Sequence, residues 1–190
     1  MTAIQPTAIN SQPFVDLDAV QATVEAVTQN RELGQVRFTM HSQSTGGLTA
    51  CTETGALIQA GEADNARRGK FTVHSDEPVA LLGTDTAASP AEYVLHALAG
   101  CYTVTLASLA AARAIELRHI QLTLGFDIDL AGFLSIDETV RKGAQGITVD
   151  VEIDSPASRE DLEALLQALE QTSPIRDTIA NPVPVTTRLI

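Results

Sequence analysis

Tryptophan is absent from the 190 residues, and Tyr and Phe number only two and five. Basic residues are also scarce: 12 Lys and Arg face 24 Asp and Glu, so the formal charge is 12 − 24 = −12. A phosphate-reading surface needs clustered Lys and Arg, so this balance excludes nucleic acid as the natural partner. An anionic membrane surface is excluded on the same ground. The one basic cluster, Arg67, Arg68 and Lys70, reads as solvated loop charge. Two cysteines, Cys51 and Cys101, lie 50 positions apart. They are too few for a disulfide scaffold and too distant for a CxxC pair or a Cys-rich zinc site. No HExxH motif occurs, and His41, His74 and His119 share no spacing, so no metal site is expected. Thr45-Gly46-Gly47 opens no helix and makes no phosphate loop, and no GxSxG nucleophile elbow is present. No cofactor is implied. Residues 1–10 carry neither a basic residue nor an apolar run, so no signal peptide is read there, and free thiols fit a cytoplasmic protein.

Hydrophobic residues reach 44%, enough for a sizeable core in one domain. Residues 1–12 read as a loose arm. Leu17, Val20, Val24 and Val27 have helical spacing after a cap at Asp16, and Gly34 ends that helix. The period then becomes two: Val36, Phe38 and Met40 alternate with Arg37, Thr39 and His41. A turn at 44–47 leads to a second strand over 49–58, a polar loop over 61–69, and further strand at Phe71, Val73 and 79–82. Ser89-Pro90 opens a long helix, with Ser as cap and Pro at the first helical position. Its residues 93–112 hold no Asp, Glu, Lys or Arg and are long enough to span a bilayer. The polar His96, Tyr102, Thr103, Thr105 and Ser108 favour a helix buried on most sides of a soluble protein. Glu92 and His96 are spaced to pair at i, i+4. Residues 119–130 and 147–153 alternate as strands. Ser158 with Asp161 resembles a capping box before a Leu-striped helix, Pro174 starts a short helical turn, and 182–190 reads as an edge strand. Segregated strands and helices make the class α+β.

Certain stretches resemble the OsmC/Ohr family: Ser89-Pro90-Ala91-Glu92-Tyr93, then Ala97-Leu98-Ala99-Gly100-Cys101, and later Ser173-Pro174-Ile175-Arg176-Asp177-Thr178 with Asn181-Pro182-Val183-Pro184-Val185. Thr45-Gly46-Gly47 looks like the family's first hairpin. The resemblance covers about 35–190, which divides the chain into an arm and added helix over 1–33 and an OsmC-like domain over 34–190. It implies an antiparallel sheet wrapped around long central helices in an intertwined homodimer. It also implies thiol-dependent reduction of organic hydroperoxides. There a reactive Cys is oxidised to a sulfenic acid, a second Cys resolves it as a disulfide, and an external thiol clears the disulfide. An Arg from the first hairpin and a Glu near the helix start help hold the thiolate.

Carried onto this sequence, the pattern places the peroxidatic thiol at Cys101. The resolving position holds Ser173, which forms no disulfide but caps the helix opened by Pro174. Leu48 follows Gly46-Gly47 where the family has its Arg; Arg37, Arg67 and Arg68 are other sources of charge. Ala91 stands at the Glu position and Glu92 one residue later. On an ideal helix, Glu92 lies about 180° around from Cys101 and about 13 Å along the axis, a poor direct partner. Cys51, four positions after Gly47, is an alternative resolver. Three readings remain open. One is a peroxidase resolved by an external thiol reductant. Another is a non-catalytic dimer binding a small hydrophobic ligand near Cys101. The third is a dimer making a protein contact through its N-terminal helix.

Overall fold

The computed structural model describes residues 15–190, so the expected arm over 1–12 lies outside the described residues. The chain forms two compact units, 16–93 and 94–190.

The first unit opens with α1 (Leu17–Gln29), where the Asp16 carboxylate accepts from the Ala19 amide at 3.0 Å. The helix stops at Asn30, earlier than Gly34, because Asn30 caps a new 3₁₀ turn over Arg31–Gly34. The apolar stripe Leu17, Val20 and Val24 stays exposed. β1 (Val36–Gly46) and β2 (Thr49–Gln59) form an antiparallel hairpin in which Gln43 faces Cys51. β1 runs to Gly46, so the turn falls at 47–48 rather than 44–47. Gly46 and Gly47 have φ of +121° and +55°, conformations that favour glycine. β2 is the sheet's middle strand. Its far edge takes β3 (Glu62–Asp64), inside the expected loop, and β4 (Thr72–Ser75).

In place of a strand over 79–82, Val79–Leu81 is a 3₁₀ turn capped by Leu82. The reason is Asp76, whose side chain is buried at 1% exposure. Its carboxylate accepts from the amides of Glu77, Thr84 and Thr86 and from the hydroxyls of Thr84 (2.6 Å) and Thr86 (2.9 Å). These bonds curl 76–86 into a loop around one charge. Gly83 is required there: a Cβ would lie 1.7 Å from the Glu77 carbonyl oxygen.

α2 (Pro90–Ala112) starts in the first unit and runs into the second. Leu98, Tyr102, Leu106 and Ala110, four residues apart, form its buried stripe. Beside them in the core lie Leu117 and, from α4 (Arg159–Thr172), Leu165 and Leu169. β5 (His119–Asp127) and β6 (Gly146–Asp154) pair antiparallel, with Ile120 facing Ile153, Leu122 facing Val151 and Leu124 facing Val149. This apolar face packs on the core. α3 (Leu130–Phe133) is a single turn between the strands. Ser158 caps α4, its Oγ accepting from the Asp161 amide at 3.1 Å. Ser173 caps α5 (Pro174–Ala180).

Two further expectations differ from the structure. Residues 182–190 form no strand, since Pro182 and Pro184 lack the amide donors a ladder needs and no described strand pairs with them. Within the single chain α2 is not buried on most sides: only 28% of its most apolar stretch is buried, and Val104 is 66% exposed. Among the described residues it is the one helix long and apolar enough to cross a membrane by length and composition.

Candidate functional site

Cys101 lies midway along α2 and is half-buried. Its Sγ sits 3.2 Å from the Oγ of Ser173 and 3.9 Å from the Oγ1 of Thr105, one helical turn on. Ser173 is 2% exposed. Its Oγ accepts from the Arg176 amide at 3.3 Å, which leaves its own proton free to donate to sulfur. The local fold builds this contact. Pro174 at the first position of α5 requires a cap just before it, and the capping hydroxyl is the one that meets the thiol.

Cys101 opens onto a cavity of about 640 Å³. Val104, Leu109 and Ile175 make its apolar wall, and His96, Thr105 and Thr172 add polar groups. No Lys or Arg is among its lining residues. Gly100 lines it too, and a Cβ there would meet nothing within 4 Å, so the missing side chain leaves open space beside the thiol. His96 and Cys101 are the ionisable side chains of the lining.

The sequence reading missed His96 as a lining residue because the i, i+4 spacing assigned it to Glu92. Glu92 does not pair with it. Its carboxylate accepts from the Ser89 amide at 2.7 Å, and its own amide donates to the Ser89 hydroxyl at 3.2 Å. This reciprocal capping box satisfies two amides at the start of α2, a stronger claim on the carboxylate than an exposed imidazole. The signal was present in the sequence as Ser-Pro-Ala-Glu.

The remaining site candidates lie in the first unit. Cys51 on β2 faces Gln43 and His74 across the sheet, and both cysteines are free thiols. Arg67 stacks on the Phe71 ring at 5.3 Å, and Arg68 donates to the Asn65 side chain at 3.1 and 3.2 Å. Leu48 is an exposed turn residue. Among the described residues, no group of three or more His, Cys, Asp or Glu is placed to hold a metal ion.

A family model described as OsmC-like protein matches residues 83–188, more than half of the chain and all of this site. The chain belongs to the OsmC-like family. Solved OsmC-like structures share its α+β fold with antiparallel sheets. An OsmC-like protein from Mycoplasma pneumoniae superimposes with a TM-score of 0.58 at 16% identity, over 76% of this chain and 87% of that one. An organic hydroperoxide resistance protein OsmC from Legionella pneumophila gives 0.54 at 19% identity, over 74% and 88%. An OsmC-like protein of unknown function from Vibrio cholerae gives 0.57 at 8% identity, over 75% and 92%. No curated protein matches the chain in sequence.

Proposed function

We propose that this OsmC-like protein is a thiol-dependent hydroperoxide reductase in which Cys101 is the peroxidatic residue and an external thiol does the resolving. The observation that carries this reading is the 3.2 Å contact between Cys101 Sγ and Ser173 Oγ. The position that bears the resolving Cys in the family resemblance touches the thiol but holds a hydroxyl. Family relatives named as organic hydroperoxide resistance proteins support the substrate class.

The Cys101 thiolate attacks the outer oxygen of an organic hydroperoxide. The O–O bond breaks, an S–OH bond forms, and the alkoxide leaves and takes a proton from water, giving an alcohol. Ser173 and Thr105 are placed to donate hydrogen bonds to the sulfur while it is anionic. Ser173 cannot then attack the sulfenic acid. An external thiolate does so, hydroxide leaves and takes a proton from solvent to become water, and a mixed disulfide forms. A second thiol releases Cys101 as a thiol and carries the disulfide away. Such thiols are abundant in a reducing cytoplasm, where we place the protein. The exposed apolar face of α2 supports a homodimer, with a second copy covering Val104 and its neighbours.

A second reading follows from the lining itself. A largely apolar cavity without Lys or Arg also suits a non-catalytic site for a small hydrophobic ligand. One experiment separates the two. The reduced protein is given a small excess of cumene hydroperoxide with a sulfenic-acid trap, and intact mass is followed beside Cys101→Ser. Rapid trapping lost in the variant is the expected result. Reaction no faster than that of a free thiol removes the peroxidase reading and leaves the ligand-binding one.

A further inference from the structure

A second cavity of about 340 Å³ lies within the 94–190 unit. It is lined by α2, the start of β6, α5 and the segment before β6, at the low end of the roughly 300–1,000 Å³ of small-molecule pockets. Leu98, Ile147 and Ile179 give it an apolar wall; Tyr102, Arg141 and Arg176 give it a polar one. No carboxylate lines it. In a chain with twice as many acids as bases, two arginines lining one cavity are a local concentration of positive charge.

The three polar groups are unequal. Arg141 is exposed, and its guanidinium makes no ion pair among the described residues. Arg176 is half-buried; it donates to the Glu170 carbonyl at 3.0 Å and meets the Glu170 carboxylate only at 3.9 Å. Tyr102 is 7% exposed. Burial pushes its phenol ionisation up, the neighbouring Arg176 pulls it partly back, and the Glu170 carboxylate that Arg176 meets adds to the rise. Arg176 has only donors, so the Tyr102 hydroxyl proton finds no acceptor in that neighbour. Tyr102, its phenol neutral, and the two arginines thus line one apolar-walled space.

We infer that this cavity binds a small aliphatic carboxylate, its head held by Arg141, Arg176 and the Tyr102 hydroxyl and its tail against Leu98, Ile147 and Ile179. Two planar guanidinium forks match a planar carboxylate, and the phenol supplies a third donor. The apolar wall selects against a bare inorganic anion. The inference is independent of peroxide chemistry at Cys101: neither the thiol nor Ser173 lines this cavity.

Isothermal titration calorimetry with octanoate tests it, with octanol and inorganic phosphate as comparison ligands. Saturable octanoate binding is expected, weakened about tenfold or more in Arg141→Gln and in Arg176→Gln, with the other two ligands at least tenfold weaker. Tyr102→Phe should weaken binding by a smaller factor. Cys101→Ser should leave it unchanged. Arg141 is exposed, so Arg141→Gln tests the site without risk to the core. Absence of octanoate heat at millimolar ligand would overturn the inference. So would equal affinity in the wild type and both arginine variants, or octanol or phosphate binding as tightly as octanoate. Loss of binding in Cys101→Ser would place the ligand in the other cavity and overturn it as well.

Discussion

Replacing Ser173 by Cys puts a second sulfur where a hydroxyl now lies 3.2 Å from the Cys101 thiol. A disulfide needs about 2.05 Å between sulfurs, so the pair must close by roughly 1 Å, part of it supplied by the longer C–S bond. The bridge would link positions 72 apart. Chain-entropy arithmetic for a closed loop of that size, about 2.1 + 1.5R ln 73 cal/mol/K, gives ~4.4 kcal/mol at 25 °C as an upper figure. For a chain of this length each kcal/mol moves the melting temperature by about 2–4 °C, so the oxidised variant should melt roughly 10 °C above its reduced form. The same variant should change the chemistry. Stoichiometric hydroperoxide should yield a species lighter by two hydrogens, and the trap should capture far less sulfenic acid. A Cys51→Ala background removes the other thiol from the reading. Intact-mass spectrometry and thermal melts with and without reductant measure both effects. If the doubly substituted chain keeps a trappable sulfenic acid and its melting temperature ignores reductant, the Cys101–Ser173 geometry is wrong.

Two further predictions concern the scaffold. Asp76 gathers hydrogen bonds from Thr84 and Thr86, the Thr84 hydroxyl foremost, which hold its carboxyl well below the usual carboxylate range. Its contribution is therefore complete at neutral pH and is lost as pH falls below about 4 toward the depressed folded value. Asp76→Asn should melt lower than wild type at pH 7, and the gap should narrow in acid; parallel melting curves from pH 7 to 2.5 would refute this. Leu165 is fully buried on α4, so Leu165→Ala should cost about 2–5 kcal/mol in urea unfolding, and a loss below ~1 kcal/mol would mean the core is not packed as described.

Local signals were the legible part of the fold. Asp16, Ser89-Pro90, Ser158 and Ser173-Pro174 each mark a helix start because a cap acts within four residues and needs nothing from the rest of the chain. The alternation over 119–127 and 146–154 survives as a hairpin because one face packs on α2 and α4. What failed depended on distant partners. The segment 79–82 looked like strand until Asp76 drew in Thr84 and Thr86. Residues 182–190 have strand composition but no described neighbour to pair with. At the site, Cys101 and Ser173 were marked by the family resemblance, yet their contact across 72 positions is a tertiary fact. His96 was assigned by helical spacing to Glu92, and the capping box at Ser89 took that carboxylate away.

The tyrosines lend themselves to optics. The Tyr93 hydroxyl donates to the His74 carbonyl at 2.6 Å within the unit 16–93, and Tyr102 is buried in the unit 94–190. With tryptophan absent, each unit carries one native chromophore of its own. Tyr93→Phe leaves an emission that reports the second unit, and Tyr102→Phe leaves one that reports the first. Urea titrations of the two variants then read the cooperativity of the whole chain without a label. Coincident curves describe a single transition, and separated curves describe two units that melt in turn.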